Sequence, residues 1–288
     1  MAQVYSWRFQ VRTYELDASR QVFPATYLNY LEEGAVQASA AAGYDYDWYF
    51  ANQRAWVIRK MTMRFYEPAL YGDELELHTW VSNAKRVRSD REYDLRRAAD
   101  DTPIVRARAN WVFMNTETMQ PQRLPDEFMD SFQPDDETEE LDTGVLEPIS
   151  VDNPVIHTED RRVQCYEIDP NGHVNHAVYA RWIDQSLSQS LRAAGWPPER
   201  LAFSDFRMIP ISHEIEYLRG ALGDEPIRIA TGLFQFGLDR ASWQTEIQHG
   251  ATGDPIARST YTFGFVDERG PRSIPDALHF ALIGIPQE

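Results

Sequence analysis

The chain repeats itself, and that repeat limits its possible folds more than any other feature. The stretch "VRTYELDASRQVFPATYLNYLEEG", beginning at Val11, runs parallel to "VQCYEIDPNGHVNHAVYARWIDQS", beginning at Val163. Val11 and Val163, Tyr14 and Tyr166, Glu15 and Glu167, Asp17 and Asp169, Tyr27 and Tyr179, and Gly43 and Gly195 all stand 152 positions apart. Further on, Tyr66 matches Tyr217 and Gly72-Asp73 matches Gly223-Asp224 at an offset of 151, and "ARANWVFMN" matches "ARSTYTFGF" at 150. A nearly constant offset over about a hundred residues marks a duplication. With 288 residues the chain is long enough for two ordinary domains, each with its own core.

Both halves show one pattern. A short strand precedes the motif and a helix follows it. In the second half Tyr179, Ile183, Leu187 and Leu191 form one apolar stripe, Asn175 is placed as the N-cap, and Gly195 is a natural stop. The first-half helix, from about Ala25 to Ala42, is rich in alanine, which suits a helix held close to a sheet. Then come "AWVIRKMTMRFY", "DELELHTWVS", "REYDLRR" and "IVRARANWVFMN", whose period of two and aromatic content predict antiparallel strands. One long helix followed by a run of strands gives an α+β unit with the helix packed on one sheet. The expected organisation is a unit over residues 1–124, an acidic linker over 125–153, and a second unit over 154–288, the two paired as a pseudo-dimer. The linker is assigned on composition, since such a segment buries too little apolar surface to fold alone.

Composition excludes some function classes. A net charge of −17 argues against nucleic acid, which needs a basic footprint. Residues 126–142 hold nine carboxylates and no base. The run from Lys85 to Arg97 holds six bases against three acids. It reads either as a solvated strand face of alternating charge or, through Lys85, Arg86 and Arg88, as a docking patch for an acidic carrier or a phosphate-bearing cofactor. No apolar run approaches bilayer length, and the first ten residues, "MAQVYSWRFQ", lack a basic-then-apolar signal pattern. The single cysteine, Cys165, excludes an intramolecular disulfide and a Cys-based zinc site. No membrane partner and a cytoplasmic location are therefore expected.

The residues that could carry chemistry sit in the second copy of the motif. Asp169, Asn171 and His173 alternate just before the helix. They read either as an Asx-turn that leads into a cap or as a site. The first copy retains Asp17, but Gln21 stands at the place of His173, and Pro24 is set against Asn175. The fold alone thus does not demand the polar set. A carboxylate such as Asp169 can serve as base or nucleophile. An amide such as Asn171 can orient a water or a carbonyl, and an imidazole such as His173 can shuttle a proton near neutral pH. The helix start offers backbone N–H groups to a developing oxyanion. "DPNGH" is a poor calcium loop, and His173 with His176 lacks further metal ligands, so no metal is expected. Glu32 and Asp184, again 152 apart, and the adjacent Glu33 are helix acids that read as a solvated face or as supporting acids. His213 and Glu214 read as ordinary strand residues.

The motif D-x-x-G-H-V-N-x-x-x-Y, here "DPNGHVNHAVY", then a long helix and "GD" opening a strand pair, resembles the hot-dog fold of acyl thioesterases. Two such units in one chain resemble the acyl-acyl-carrier-protein thioesterases of plants and bacteria. The resemblance covers nearly the whole chain outside the linker. It implies Asp169, Asn171 and His173 as catalytic residues; beside them Asn175, Asp17 and Glu32 stand as supporting candidates read from the residues themselves. It also implies an acyl-pocket role for the first half and one working site per chain. The implied substrate is an acyl thioester of acyl carrier protein or coenzyme A, hydrolysed without metal or organic cofactor, and a homodimer is allowed. Where the plant family places a catalytic Glu followed by Cys, this chain has Gly220 and Ala221. That departure keeps open a non-hydrolytic acyl binder and a small-acyl coenzyme A thioesterase of the 4-hydroxybenzoyl type. Acyl length would depend on which aromatics, Trp48, Tyr49 and Trp56 among them, fill the core.

Overall fold

Two copies of one topology follow each other along the chain. The computed structural model describes residues 3–134 apart from 19, then 141, 149–151, and 155–283 apart from 238. It divides into two units, Met1–Leu141 and Asp142–Glu288.

The first unit opens with β1 (Tyr5–Gln10), a single 3-10 turn over Thr13–Glu15, helix α1 (Pro24–Ala41) and the short α2 (Tyr46–Ala51). Four long strands follow: β2 (Arg54–Phe65), β3 (Glu74–Lys85), β4 (Arg88–Arg97) and β5 (Pro103–Asn115). The two-residue β6 (Gln120–Pro121) and α3 (Asp126–Phe132) close the unit. The sheet is antiparallel, in the order β1-β3-β4-β5-β2. Period-two alternation gives it one apolar face, on which Met61, Met63, Leu75, Leu77 and Leu95 are fully buried. α1 lies against that face and comes closest at Gly34, where any Cβ would collide with the Leu77 side chain. The alanine-rich helix is therefore held as close to the sheet as its sequence predicts.

The second unit contains β7 (Ile149–Ser150), β8 (Ile156–Arg162), a 3-10 turn over Cys165–Glu167, α4 (His176–Ala193) and α5 (Pro198–Ala202). It continues with β9 (Arg207–Tyr217), β10 (Pro226–Phe236), β11 (Arg240–His249), β12 (Pro255–Asp267), β13 (Gly270–Pro271) and α6 (Asp276–Leu282). Its strand order, β8-β10-β11-β12-β9, repeats that of the first unit, with β7 added against the far end of β10. A long helix on one curved antiparallel sheet, twice over, is the α+β hot-dog arrangement.

The structure corrects the sequence register after the motif. Equivalent positions remain 152 apart far beyond Gly43. Val11 N–H donates to the Asp73 carbonyl and Val163 N–H to the Glu225 carbonyl. Ala69 N–H donates to the Tyr27 hydroxyl and Ala221 N–H to the Tyr179 hydroxyl, both at 2.9 Å. Phe65 pairs with Val105 as Tyr217 pairs with Ala257. The matches at 151 and 150 are therefore similarities of composition one or two positions out of register. The true shift comes later, where the β12–β13 hairpin (Asp267 opposite Gly270) is two residues shorter than the β5–β6 hairpin (Asn115 opposite Gln120). From there α3 and α6 stand 150 apart.

α3 lies within the span expected to be linker. Its acids face solvent, but Phe128 is buried against Phe113 and Leu124, with Tyr44, Trp48 and Trp56 packed around them. The segment does not fold alone; the unit it closes supplies the apolar surface. Residues 135–140, 142–148 and 152–153, also assigned to the linker, lie outside the described residues. Among the described residues no helix is long and apolar enough to cross a membrane, and no group of three or more His, Cys, Asp or Glu side chains could hold a metal.

Candidate active site

Each motif loop is fastened by its glutamate. Glu15 accepts from the Arg12 backbone N–H at 2.7 Å, from the Arg12 guanidinium at 2.9 Å and from the Tyr30 hydroxyl at 2.6 Å. Glu167 accepts from the Gln164 backbone N–H at 2.8 Å and from the Trp182 indole at 2.9 Å, and it pairs with Arg161, whose guanidinium lies over the Trp182 ring. Tyr30 and Trp182 are equivalent helix positions. In both units a buried carboxylate thus ties the loop to the long helix, and charge-assisted bonds offset its desolvation. Sequence reasoning matched these glutamates without assigning them a role. The signal was present: each stands at the third position of a capping box.

The tight turn is also shared. Asp17 N–H donates to the Gln21 carbonyl at 2.8 Å, and Asp169 N–H to the His173 carbonyl at 2.9 Å. A left-handed residue is needed at its corner, filled by Gly172 (φ 83°) in one unit and Arg20 (φ 64°) in the other. Glycine adopts that conformation without strain; arginine adopts it at a cost.

On this common frame the second unit builds a polar pair. Asp169 Oδ1 accepts from the Asn171 backbone N–H at 2.8 Å, which is the Asx-turn of the sequence reading. Its other oxygen, Oδ2, lies 3.5 Å from His173 Nδ1. One Asp169 oxygen thus serves the turn, and the other stands beside the His173 imidazole. The two side chains are 13% and 19% exposed, sheltered but reachable. Asn171 itself is exposed, and the contact it makes with Asp169 is through its backbone. In the first unit the corresponding Asp17 oxygen caps the Gln21 N–H at 3.1 Å, and there is no imidazole at that position.

Asn175 is the N-cap of α4, its side chain accepting from Ala177 N–H at 2.9 Å while its carbonyl accepts from Val178 N–H at 3.0 Å. Two donors of the first turn are thus used by the cap itself, which corrects the expectation that this helix start offers them to an oxyanion. The counterpart of Asn175 is Phe23, with Pro24 at the first helical position, so the match of Pro24 to Asn175 was one residue out.

The loop after β9 supports the histidine. Val174 N–H donates to the Ala221 carbonyl at 2.9 Å, and Arg219 grips Glu225 at 2.7 and 3.1 Å. Burial pushes the Glu225 carboxyl up, and the Arg219 and Leu222 donors outweigh it, holding the group below the usual carboxylate range. Gly220 sits directly behind His173: a Cβ there would lie 3.0 Å from His173 Cβ and 3.2 Å from Cγ. At the position where the resembled family carries a glutamate, any side chain would press on the imidazole and require it to give by a few tenths of an ångström.

The other sequence candidates fall as follows. Glu32 and Asp184 take equivalent half-buried places on α1 and α4. Lys85, Arg86 and Arg88 are exposed at the tip of the β3–β4 hairpin, with Arg86 in the left-handed turn position. Their neighbours narrow the patch. Arg91 is buried, Arg96 pairs with Asp94 and Asp101, and Arg97 pairs with Asp73 and Asp100. His213 is a core residue. It lies 2.8 Å from the Ser259 hydroxyl and stacks on Tyr261 at 3.9 Å, and burial pushes its imidazole down to about 3, so it is neutral.

Comparison with known proteins places this geometry. Residues 2–132 match the acyl-ACP thioesterase N-terminal domain, and residues 163–282 match the thioesterase-like superfamily. A chloroplastic acyl-[acyl-carrier-protein] hydrolase of Cuphea viscosissima is 25% identical over 74% of this chain and 52% of its own length. A chloroplastic oleoyl-acyl carrier protein thioesterase of Arabidopsis thaliana is 26% identical over 65% of this chain and 55% of its own. The chain thus spans about half the length of the curated relatives it matches. Among solved structures, an acyl-ACP thioesterase from Bacteroides thetaiotaomicron superposes with a TM-score of 0.70 at 18% identity, covering 90% of this chain and 97% of that one. The 12:0-ACP thioesterase from Umbellularia californica gives 0.67 at 19% identity, covering 90% and 93%. These likenesses show the double hot-dog fold. On that fold the first unit is similar to the acyl-ACP thioesterase N-terminal domain and the second to the thioesterase-like superfamily.

Proposed function

We propose that the chain hydrolyses acyl thioesters of acyl carrier protein or coenzyme A, releasing a free carboxylic acid. The observation that carries this is the Asp169–His173 pair, present in the second copy of the turn and absent from the first. In the proposed reaction Asp169 takes a proton from a water, whose oxygen bonds to the thioester carbonyl carbon. The carbonyl π electrons move to oxygen, then return as the C–S bond breaks. The leaving thiolate takes a proton from His173, which recovers one from the protonated Asp169 beside it, so both groups end as they began. Asn171, exposed beside the pair, is the group proposed to orient the water or the carbonyl. Such general acid–base steps are typically worth ~10²–10⁴-fold. Gly220 itself brings no carboxylate to His173, and the proposed reaction uses Asp169 alone.

Gly220 also favours a second reading, an acyl-thioester binder that does not hydrolyse. Incubating the purified chain with acyl-carrier and acyl-coenzyme A thioesters and a thiol reagent separates the two. Thiol release that requires Asp169 supports the enzyme, whereas thioester binding without release supports the binder. Carrier docking is proposed at Lys85, Arg86 and Arg88, three exposed bases on a chain of net charge −17. Arg86→Glu with Arg88→Glu is expected to raise KM for carrier substrates severalfold at low salt and to flatten the salt dependence, with kcat unchanged. The proposed unit boundaries are those of the sequence reading with α3 assigned to the first unit. The proposed setting is the cytoplasm, a reducing compartment that suits the lone, exposed Cys165.

A further inference from the structure

The first unit buries an arginine that has no counter-ion among the described residues. Arg91, on β4, is 7% exposed. Its guanidinium donates to the Thr79 hydroxyl at 3.3 Å and lies 5.5 Å from the Phe132 ring centroid. Among the described residues no carboxylate pairs with it. The Thr79 hydroxyl is itself committed, donating to the Glu92 carbonyl at 2.8 Å. Arg91 is thus a fixed cation with five N–H donors, held by one long bond to a neutral oxygen. Proteins seldom bury a charge on such terms unless something else completes it.

The equivalent place in the second unit shows that the fold does not require the charge. Arg91 stands opposite Val81 on β3, and Trp243 stands opposite Leu233 on β10 in the same register. An apolar ring therefore serves there. The neighbour across the next strand differs as well: Ala109 beside Arg91, but Tyr261 beside Trp243. The first unit has put a cation next to a small residue where the second has packed two aromatic rings. Tyr93, two residues on and on the same face, is fully buried; its hydroxyl lies within reach of the Trp111 indole N–H and has no acceptor for its own proton among the described residues. Above these groups Tyr49 carries a hydroxyl 2.8 Å from Ser39 and 3.0 Å from the Trp56 indole, and its ring packs edge-on against Trp48. Polar groups with unused donors thus lie under an aromatic roof.

We propose that Arg91 anchors a binding site for a carboxylate borne on an apolar body, such as a medium-chain fatty-acid anion. The planar guanidinium matches the two oxygens of a carboxylate, and the Tyr93 hydroxyl is a further donor. The rings of Trp48, Tyr49 and Phe132 suit an apolar body better than a hydrated phosphate. Preferring an acyl carboxylate rests on the thioesterase reading, under which such an acid is the product.

The test is thermal denaturation of the full chain with octanoate, 1-octanol or inorganic phosphate. Octanoate is expected to raise the Tm of the parent protein by several degrees, while octanol and phosphate leave it nearly unchanged. Arg91→Met should lose the octanoate shift, and its own Tm should be equal to or above the parent value, because a buried charge has been removed. Asp169→Asn should retain the shift, since that residue belongs to the hydrolytic pair. Equal shifts from octanoate and octanol, a shift that survives in Arg91→Met, or a phosphate-specific shift would each overturn the proposal. If Arg91→Met does not fold, Arg91→Lys decides. It keeps the charge and loses the fork, so an undiminished shift sinks the idea. An Arg91-dependent shift in a protein that hydrolyses no thioester would leave this site standing and remove only the function proposed above.

Discussion

The loop from Val11 to Phe23 and the loop from Val163 to Asn175 have the same backbone and different uses. Both bridge the residue before the aspartate to the one six positions on, Leu16 to Val22 and Ile168 to Val174. Both spend one aspartate oxygen on a backbone N–H, and both are tied to their helix by a buried glutamate. Only the second sets an imidazole beside the free aspartate oxygen, caps its helix with an asparagine and keeps glycine at the corner and behind the histidine. What the two loops share is what the turn needs to form. What differs is chemistry added to a turn that is stable without it. The pair is therefore an internal control, since any substitution that acts only through folding should act alike in both.

The largest contrast expected is between the aspartates. Asp169→Asn should lower kcat by ~10²–10⁴-fold, while Asp17→Asn should leave it near the parent value. Equal effects from the two would mean that the turn, not the carboxylate, had been measured. Next comes Gly220→Ala. The added methyl must push the His173 ring, and a displacement of under an ångström should cost roughly tenfold to hundredfold in kcat with little change in KM. It should also alter the pH profile of kcat/KM, which a merely loosened fold would not do. A wild-type profile would show that His173 does not need its present seat.

The third test compares strand positions. His213 in β9 corresponds to Met61 in β2, and burial has pushed the histidine down to about 3 in the folded state. The unfolded chain takes up a proton near the ordinary histidine value, so this site's contribution to stability is complete above about pH 6.5 and falls as pH drops from there toward 3. His213→Met should flatten the loss of Tm across that window. An unchanged acid limb of the stability curve would assign acid sensitivity to other groups. The smallest contrast lies at the turn corner. Gly172→Ala should destabilise by ~1 kcal/mol, and Arg20→Gly should be neutral or slightly stabilising, because only the first adds a side chain to a left-handed residue. Denaturant midpoints for the two variants would test the opposite signs.

Much of the fold was legible because duplication lets each half vouch for the other. Period-two runs gave strands β2 to β5 to within a few residues, and Asn175, with the apolar stripe behind it, gave α4. The register after β2 was not legible. A glycine-aspartate pair and an Ala-Arg pair recur near the right places, and a sequence match cannot tell a shifted repeat from a constant one. Hydrogen bonds such as those to the Tyr27 and Tyr179 hydroxyls can. α3 was hidden for a similar reason, because an acidic segment with two phenylalanines resembles a linker until the surface that buries Phe128 is known.

The sequence by itself determined that two like α+β units follow each other, which copy of the motif holds Asp, Asn and His, and that Gly220 departs from the resembled pattern. Local rules suffice for these, since periodicity, capping and turn chemistry act over a few residues. Only the tertiary structure decided which aspartate oxygen meets His173, that Gly220 is the seat of that histidine, that Glu15 and Glu167 are fasteners, and that Arg91 is buried with no carboxylate paired to it among the described residues. Those facts depend on segments tens of positions apart being brought within a few ångströms, and no local rule sets that distance.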